Sequence, residues 1–216
     1  MKPLTILLAD DHEVVRRGLR AVLAERPDWV ICGEAWTGRQ AVALARQLEP
    51  DLVVMDLSMP ELNGLEATRQ IRATLPRTEV LMLTMHSGEE LLREVSGAGA
   101  RGLVLKSDAG RSLVVAIEAL ARHESFFTPQ VSGGLREGRL HPAKAGQPGE
   151  GTALTPRERE IVQLVAEGRS TKELADHLGI TVKTAETHRS NIMRKLGLHS
   201  VSEVVRYAIR NHFVEP

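Results

Sequence analysis

In the first part of the chain, short unbroken apolar runs alternate with stretches in which apolar residues recur every three or four positions. The runs fall at residues 4–9 (LTILLA), 30–35, 52–55 (LVVM), 80–84 (VLMLT) and 102–105. Uninterrupted runs of this length are the pattern of strands buried on both faces of a parallel sheet. Between them, helical spacing predicts a helix over 12–25, with Val14, Val15, Leu19, Val22 and Leu23 on one side. Thr37 with Gln40, and Ser87 with Glu90, read as capping boxes opening two further helices. Leu65, Ile71 and Leu75 mark another, and Asp108 is placed to cap a last helix carrying Leu113, Val114, Ile117 and Leu120. Five strands alternating with five helices predict an α/β fold. The expected architecture is a doubly wound five-stranded parallel sheet of flavodoxin-like order 2-1-3-4-5.

The pattern changes at Ser125. Through Ala153 periodicity fails, and HPAKAGQPGEG is rich in Gly, Pro and polar residues, the composition of a flexible tether. Phe126 and Phe127 are expected to pack back on a domain. From Leu154 onward only helical signals remain. Thr155-Pro156-Arg157-Glu158, Ser170 to Glu173 and Ser200 to Glu203 read as capping boxes, and Gly168 and Gly179 as helix ends. Four helices are expected, near 156–167, 171–178, 182–196 and 201–212. The predicted division is thus 1–124, a linker at 125–151, and a smaller all-α domain at 152–216.

The polar residues that end the strands carry the candidate chemistry. In the expected strand order, Asp10, Asp11 and Asp56 lie at the carboxyl ends of adjacent strands, at the switch point where open α/β sheets place ligands. Thr84 and Lys106 end the next two strands. A single strand-end Asp often does no more than start a turn. Three carboxylates together repel, and they need a cation or raised pKa values. Hard oxygen donors suit Mg²⁺. A carboxylate can also attack a phosphoryl group, with a metal and a lysine offsetting the charge.

In the C-terminal part, the helices at 171–178 and 182–196 are joined by a tight turn at Gly179-Ile180-Thr181, a helix-turn-helix arrangement. Val182, Ala185, His188, Ile192 and Leu196 form one stripe of the second helix. Lys183, Glu186, Thr187, Ser190, Asn191 and Arg194 form the opposite face. Those side chains suit base edges and phosphates, although amphipathicity alone equally describes a solvated face. Arg189, at the stripe's edge, is expected to make a phosphate contact or an internal bond rather than read bases.

With DD, MDLSMPELNG, LT and LK in order, residues 1–122 resemble a response-regulator receiver domain. The resemblance implies that Asp56 is the phosphoacceptor and that Asp10, Asp11, Asp56 and the backbone carbonyl of Ser58 hold Mg²⁺. It implies that Thr84 and Lys106 contact the phosphoryl group, and that His86, with Ser58, borders the path of the hydrolytic water and helps set phosphoryl lifetime, although a solvent-exposed loop histidine describes that position equally well. Leu103 stands where receivers usually carry Tyr or Phe, and Ser107 where many carry Pro. LTPRERE through KTAETHRSNIMRKLGL resembles the LuxR-type helix-turn-helix domain. By that resemblance Glu186, Thr187 and Ser190 face bases, and Lys183, Asn191 and Arg194 hold phosphates. Glu186 stands where relatives often carry a basic residue; an acid there can accept from cytosine N4.

Together these features resemble the NarL/FixJ class of response regulators. The implied function is a transcription regulator, not an enzyme, phosphorylated on Asp56 by a sensor histidine kinase and binding a double-stranded DNA operator as a homodimer. The alternative is a phosphorylation-independent DNA-binding regulator whose receiver only dimerises; Leu103 keeps it open. An Asp-nucleophile phosphohydrolase is disfavoured, because Ser58 stands where such enzymes place a second Asp. An acyl-homoserine-lactone sensor is disfavoured by the receiver-like, aromatic-poor N-terminal half.

Charge adds little. Lys plus Arg and Asp plus Glu are 28 each, with a mild excess of acid before residue 125 and of base after 153. The single cysteine, Cys32, excludes an intrachain disulfide. No apolar run approaches a membrane span. A cytoplasmic protein without membrane contact is expected.

Overall fold

A computed structural model describes residues 2–128 and 154–214. The first of these segments forms one parallel sheet: β1 (Leu4–Ala9), β2 (Trp29–Ala35), β3 (Leu52–Asp56), β4 (Glu79–Thr84), β5 (Gly102–Leu105) and β6 (Phe126–Phe127). Its order is β2-β1-β3-β4-β5-β6. Helices α1 (Glu13–Leu23), α2 (Gly38–Leu48), α3 (Gly64–Thr74), α4 (Glu89–Gly97) and α5 (Ala109–Ala121) cover both faces. The alternation of strand side chains shows why the runs are continuous. Val53, Met55 and Met82 pack towards α2, α3 and α4, while Leu52, Val54 and Leu81 pack towards α1 and α5.

Five local expectations change. The Thr37 box closes only in part: Thr37 accepts from Gln40 N–H, but the Gln40 side chain accepts from Trp36 N–H. The sheet gains a sixth strand from a stretch read as tether. Phe126 N–H donates to Arg101 O and Thr128 N–H to Leu103 O. Phe126 packs on one face and Phe127 on the other. Two residues are too few to show a period in sequence. The Ser87 box does not form: Gly88, at φ 147°, is the cap and α4 starts at Glu89. Asp108 makes no capping bond and instead ends a 3-10 turn, Lys106–Asp108, that leads into α5. Val14 is 82% exposed, whereas Leu19 and Leu23 carry the buried side of α1. Most of the expected tether lies outside the described residues.

The second segment is α6 (Pro156–Ala166), α7 (Thr171–Leu178), α8 (Val182–Leu196) and α9 (Val201–Arg210). The boxes at Thr155 and Ser170 form in full, each pairing the cap hydroxyl with Glu three residues on. Ser200 accepts from Glu203 N–H, but the Glu203 carboxylate turns to His199 N–H at 2.6 Å. Gly179 and Gly197 end α7 and α8 at φ 65°, a left-handed conformation that costs glycine nothing. Ile161, Leu164, Leu174, Ala185, Ile192 and Val204 bring the four helices to one core.

Candidate functional site

The carboxyl ends of β1, β3, β4 and β5 meet in one buried cluster. Asp10 follows β1 and is 0% exposed; Asp56 ends β3 at 2% and Thr84 ends β4 at 1%. Lys106, just past β5, reaches between the two acids, with Nζ 2.9 Å from Asp56 Oδ2 and 3.0 Å from Asp10 Oδ2. Those two oxygens are buried and have no other partner among the described residues. Close backbone packing sets the position of Asp56. A Cβ on Gly64 would sit 2.0 Å from the Asp56 carbonyl oxygen, and one on Gly38 would sit 1.8 Å from that of Leu62. Only glycine lets α3 and α2 start this close to the loop after β3.

Burial first, and then the Asp10 charge, push the Asp56 carboxyl up to about 7. Lys106 partly offsets this. Burial alone would lower Lys106, but the Asp56 and Asp10 carboxylates outweigh it and hold the ammonium above its ordinary value. The cluster is thus short of one positive charge. Asp10, Asp11, His12 and Asp56 present ligand atoms within 4.8 Å of one another. Carboxylate oxygens, two of them buried with Lys106 as their one partner among the described residues, fit a hard divalent cation such as Mg²⁺. Asp11 and His12 are its exposed members, with Asp11 Oδ1 2.7 Å from His12 Nδ1. Ser58 lies half-buried in the loop after β3, and the approach of its carbonyl rests on the resemblance alone. Thr84 Oγ1 accepts from His86 N–H at 3.0 Å.

On α8, the six polar-face residues Lys183, Glu186, Thr187, Ser190, Asn191 and Arg194 are all exposed, while Ala185 and Ile192 are buried. None of the six bonds to residues 2–128 among the described residues. Arg189 donates to the Thr171 hydroxyl across the turn, so it ties α8 to α7.

Two family models match separate parts of the chain. Residues 6–118 match the response regulator receiver domain, and residues 152–208 match the bacterial regulatory proteins of the luxR family. The transcriptional regulatory protein LiaR of Bacillus subtilis is 39% identical over 209 residues, covering 97% of this chain and 98% of its own. The response regulator protein VraR of Staphylococcus aureus is 36% identical over 210 residues, covering 97% and 98%. The chain is a two-component response regulator of the NarL/FixJ class. Solved structures agree. The RcsB response regulator of Salmonella typhimurium superposes with a TM-score of 0.58 at 26% identity, covering 96% of this chain and 98% of its own. A LuxR-family response regulator from Aurantimonas sp. SI85-9A1 gives 0.59 at 37% identity, covering 64% and 99%. RcsB has also been solved as a complex with DNA.

This response regulator therefore carries a LuxR-type DNA-binding half, consistent with transcriptional regulation. Its receiver brings Asp10, Asp56 and Lys106 into direct contact and Asp11 beside them. Thr84 is buried at the end of the neighbouring strand. Leu103, at the position receivers usually fill with an aromatic, is 0% exposed within the core under α2, α3 and α4. His86 is half-buried and meets His212, with ring centroids 5.8 Å apart. Sequence reading missed His12; its adjacency to Asp10 and Asp11 was the available signal.

Proposed function

We propose that this response regulator accepts a phosphoryl group on Asp56 from a sensor histidine kinase, and that the modified receiver controls dimerisation and DNA binding by α8. The observation that carries the reading is the Lys106 ammonium bridging two buried carboxylates at the sheet's switch point. The Asp56 carboxylate attacks phosphorus, and the P–N bond to the kinase imidazole breaks, returning its electrons to the ring nitrogen. Asp10, Asp11, Asp56 and the Ser58 carbonyl would hold Mg²⁺, which supplies charge neutralisation when bound. Lys106 moves from carboxylate to phosphoryl oxygen. The Thr84 hydroxyl, which accepts from the His86 amide, donates its own proton to that oxygen. The working division is a receiver ending after β6, a linker, and a DNA-binding half from 152 in which Glu186, Thr187 and Ser190 face bases and Lys183, Asn191 and Arg194 hold phosphates.

One second reading, a receiver that dimerises without phosphorylation, rests on Leu103 standing where receivers usually carry Tyr or Phe. Phosphate-affinity gel mobility with acetyl phosphate and Mg²⁺ separates the two. The first reading expects a retarded band lost in Asp56→Ala. No Asp56-dependent shift gives the case to the second. Operator selection from random DNA, with and without phosphorylation, then reports half-site spacing and phospho-dependence together.

A further inference from the structure

The face of α6 that points away from its own core is not solvated. Gln163 lies between Val162 and Leu164 of that core, yet it is itself 1% exposed. What buries it is the loop joining β3 to α3. Gln163 Nε2 donates to Met59 O at 2.8 Å, and its Oε1 accepts from Asn63 N–H at 2.7 Å. One helical turn on, Glu167 Oε1 accepts from Gln163 Nε2 at 2.8 Å and from Glu61 N–H at 3.0 Å. Side chains of the DNA-binding half thus satisfy three backbone groups of the seven residues that follow Asp56. The loop is pinned from its own side too: Gly64 N–H donates to Leu57 O at 2.8 Å, and Glu61 stands at φ 68°.

Ion pairs surround this contact. Arg159 Nε lies 3.0 Å from Glu66 Oε2, and Arg39 pairs with Glu160. The second loop beside the phosphoacceptor is held as well. His86 donates its N–H to Thr84 and packs its ring on His212. The polar face of α8 stays open throughout. The contact therefore does not shield the DNA-reading surface; it grips the loops around Asp56.

We infer that Gln163 is a positioning residue for the phosphoacceptor loop, fixing its backbone through Met59 O and Asn63 N–H, so that seating of the DNA-binding half slows phosphoryl transfer to Asp56. This rests on the reading of Asp56 as phosphoacceptor. A buried backbone group cannot give up its partner without cost, so loop geometry and seating are linked equilibria. What one favours, the other must favour by the same factor. Nothing in the sequence marks Gln163, a polar residue on the polar side of a helix.

The test uses the full chain and compares wild type with Gln163→Met, which keeps the length and removes all three side-chain hydrogen bonds, the two to the loop and the one to Glu167. Met is a good helix former, so α6 survives the change. Initial rates of phosphorylation by acetyl phosphate with Mg²⁺ are read on phosphate-affinity gels, with melting temperature and hydrogen exchange of the 57–63 peptide alongside. The expected result is a rate on the order of tenfold higher, equivalent to about 1.4 kcal/mol, with faster exchange in that peptide. A lowered melting temperature with a wild-type rate would show mere packing and overturn the inference, as would a slower rate. A wild type that shows no Asp56-dependent band removes the phosphoacceptor reading and this inference with it. A wild type that does show it, with Gln163→Met identical in rate, removes the inference alone.

Discussion

Replacing Asp56 with Asn should stabilise the metal-free protein, and only above mildly acidic pH. Asp56 is buried, and it shares the Lys106 ammonium with Asp10. Burial and the Asp10 charge raise its pKa from 3.8 to about 7. Between those values the folded chain holds a proton that the unfolded chain has released. Stability therefore falls as pH rises through that window, and the penalty is complete above the folded pKa. At about 1.4 kcal/mol per unit the ceiling is ~4 kcal/mol; relaxation and water entry reduce the expected cost to ~2 kcal/mol. Asn cannot ionise, so it escapes the penalty. For a chain of this size ~2 kcal/mol is a melting-temperature difference of roughly 4–8 °C. Thermal melts in chelator, run from about pH 5 to about pH 8.5, should give a falling curve for wild type and a flatter one for Asp56→Asn, the two parting as pH rises. Adding millimolar Mg²⁺ should lift the wild type at high pH and leave the variant nearly unmoved. Parallel curves for the two proteins in chelator would refute the charge argument.

Three further outcomes follow from the same geometry. Lys106→Met strands two buried carboxylates and should cost ~3–5 kcal/mol at neutral pH, with Asp56→Asn in the same chain recovering part of it in denaturant titrations. Gly64→Ala drives a Cβ into the Asp56 carbonyl, so a loss of about 1–3 kcal/mol is expected by denaturant melts; a neutral result would mean that α3 slides freely. Lys183→Ala should weaken binding uniformly across operator sequences and reduce the salt slope by about 1, whereas Glu186→Ala should relax preference at one position. Filter binding at several salt concentrations distinguishes them, and an unchanged preference in Glu186→Ala at every position sinks the cytosine assignment.

Much of the site is legible along the chain because its parts are strand ends. An apolar run must stop where the sheet stops, so Asp10, Asp56, Thr84 and Lys106 announce the rim by position. Caps closed within four residues, as at Thr155 and Ser170, are equally legible, since both partners are local. Ser87 looked the same and failed, because Gly88 offered the backbone another entry to α4. The exposed polar face of α8 followed from helical period alone; of the expected stripe, Ala185 and Ile192 are buried, His188 and Leu196 are half-buried, and Val182, in the first turn, is exposed.

Other features exist only once distant segments meet. The pairing of Phe126–Phe127 with β5 depends on where α5 returns the chain. The pKa of Asp56 depends on its depth and on Asp10, 46 positions away in sequence. Gln163 is the sharpest case: its hydrogen bonds reach backbone groups of Met59 and Asn63, which every sequence supplies and none advertises. Residue type and period determined the strands, the helices and the chemistry at their ends. Tertiary structure alone decided which polar groups lost their water, and so which of them act on one another.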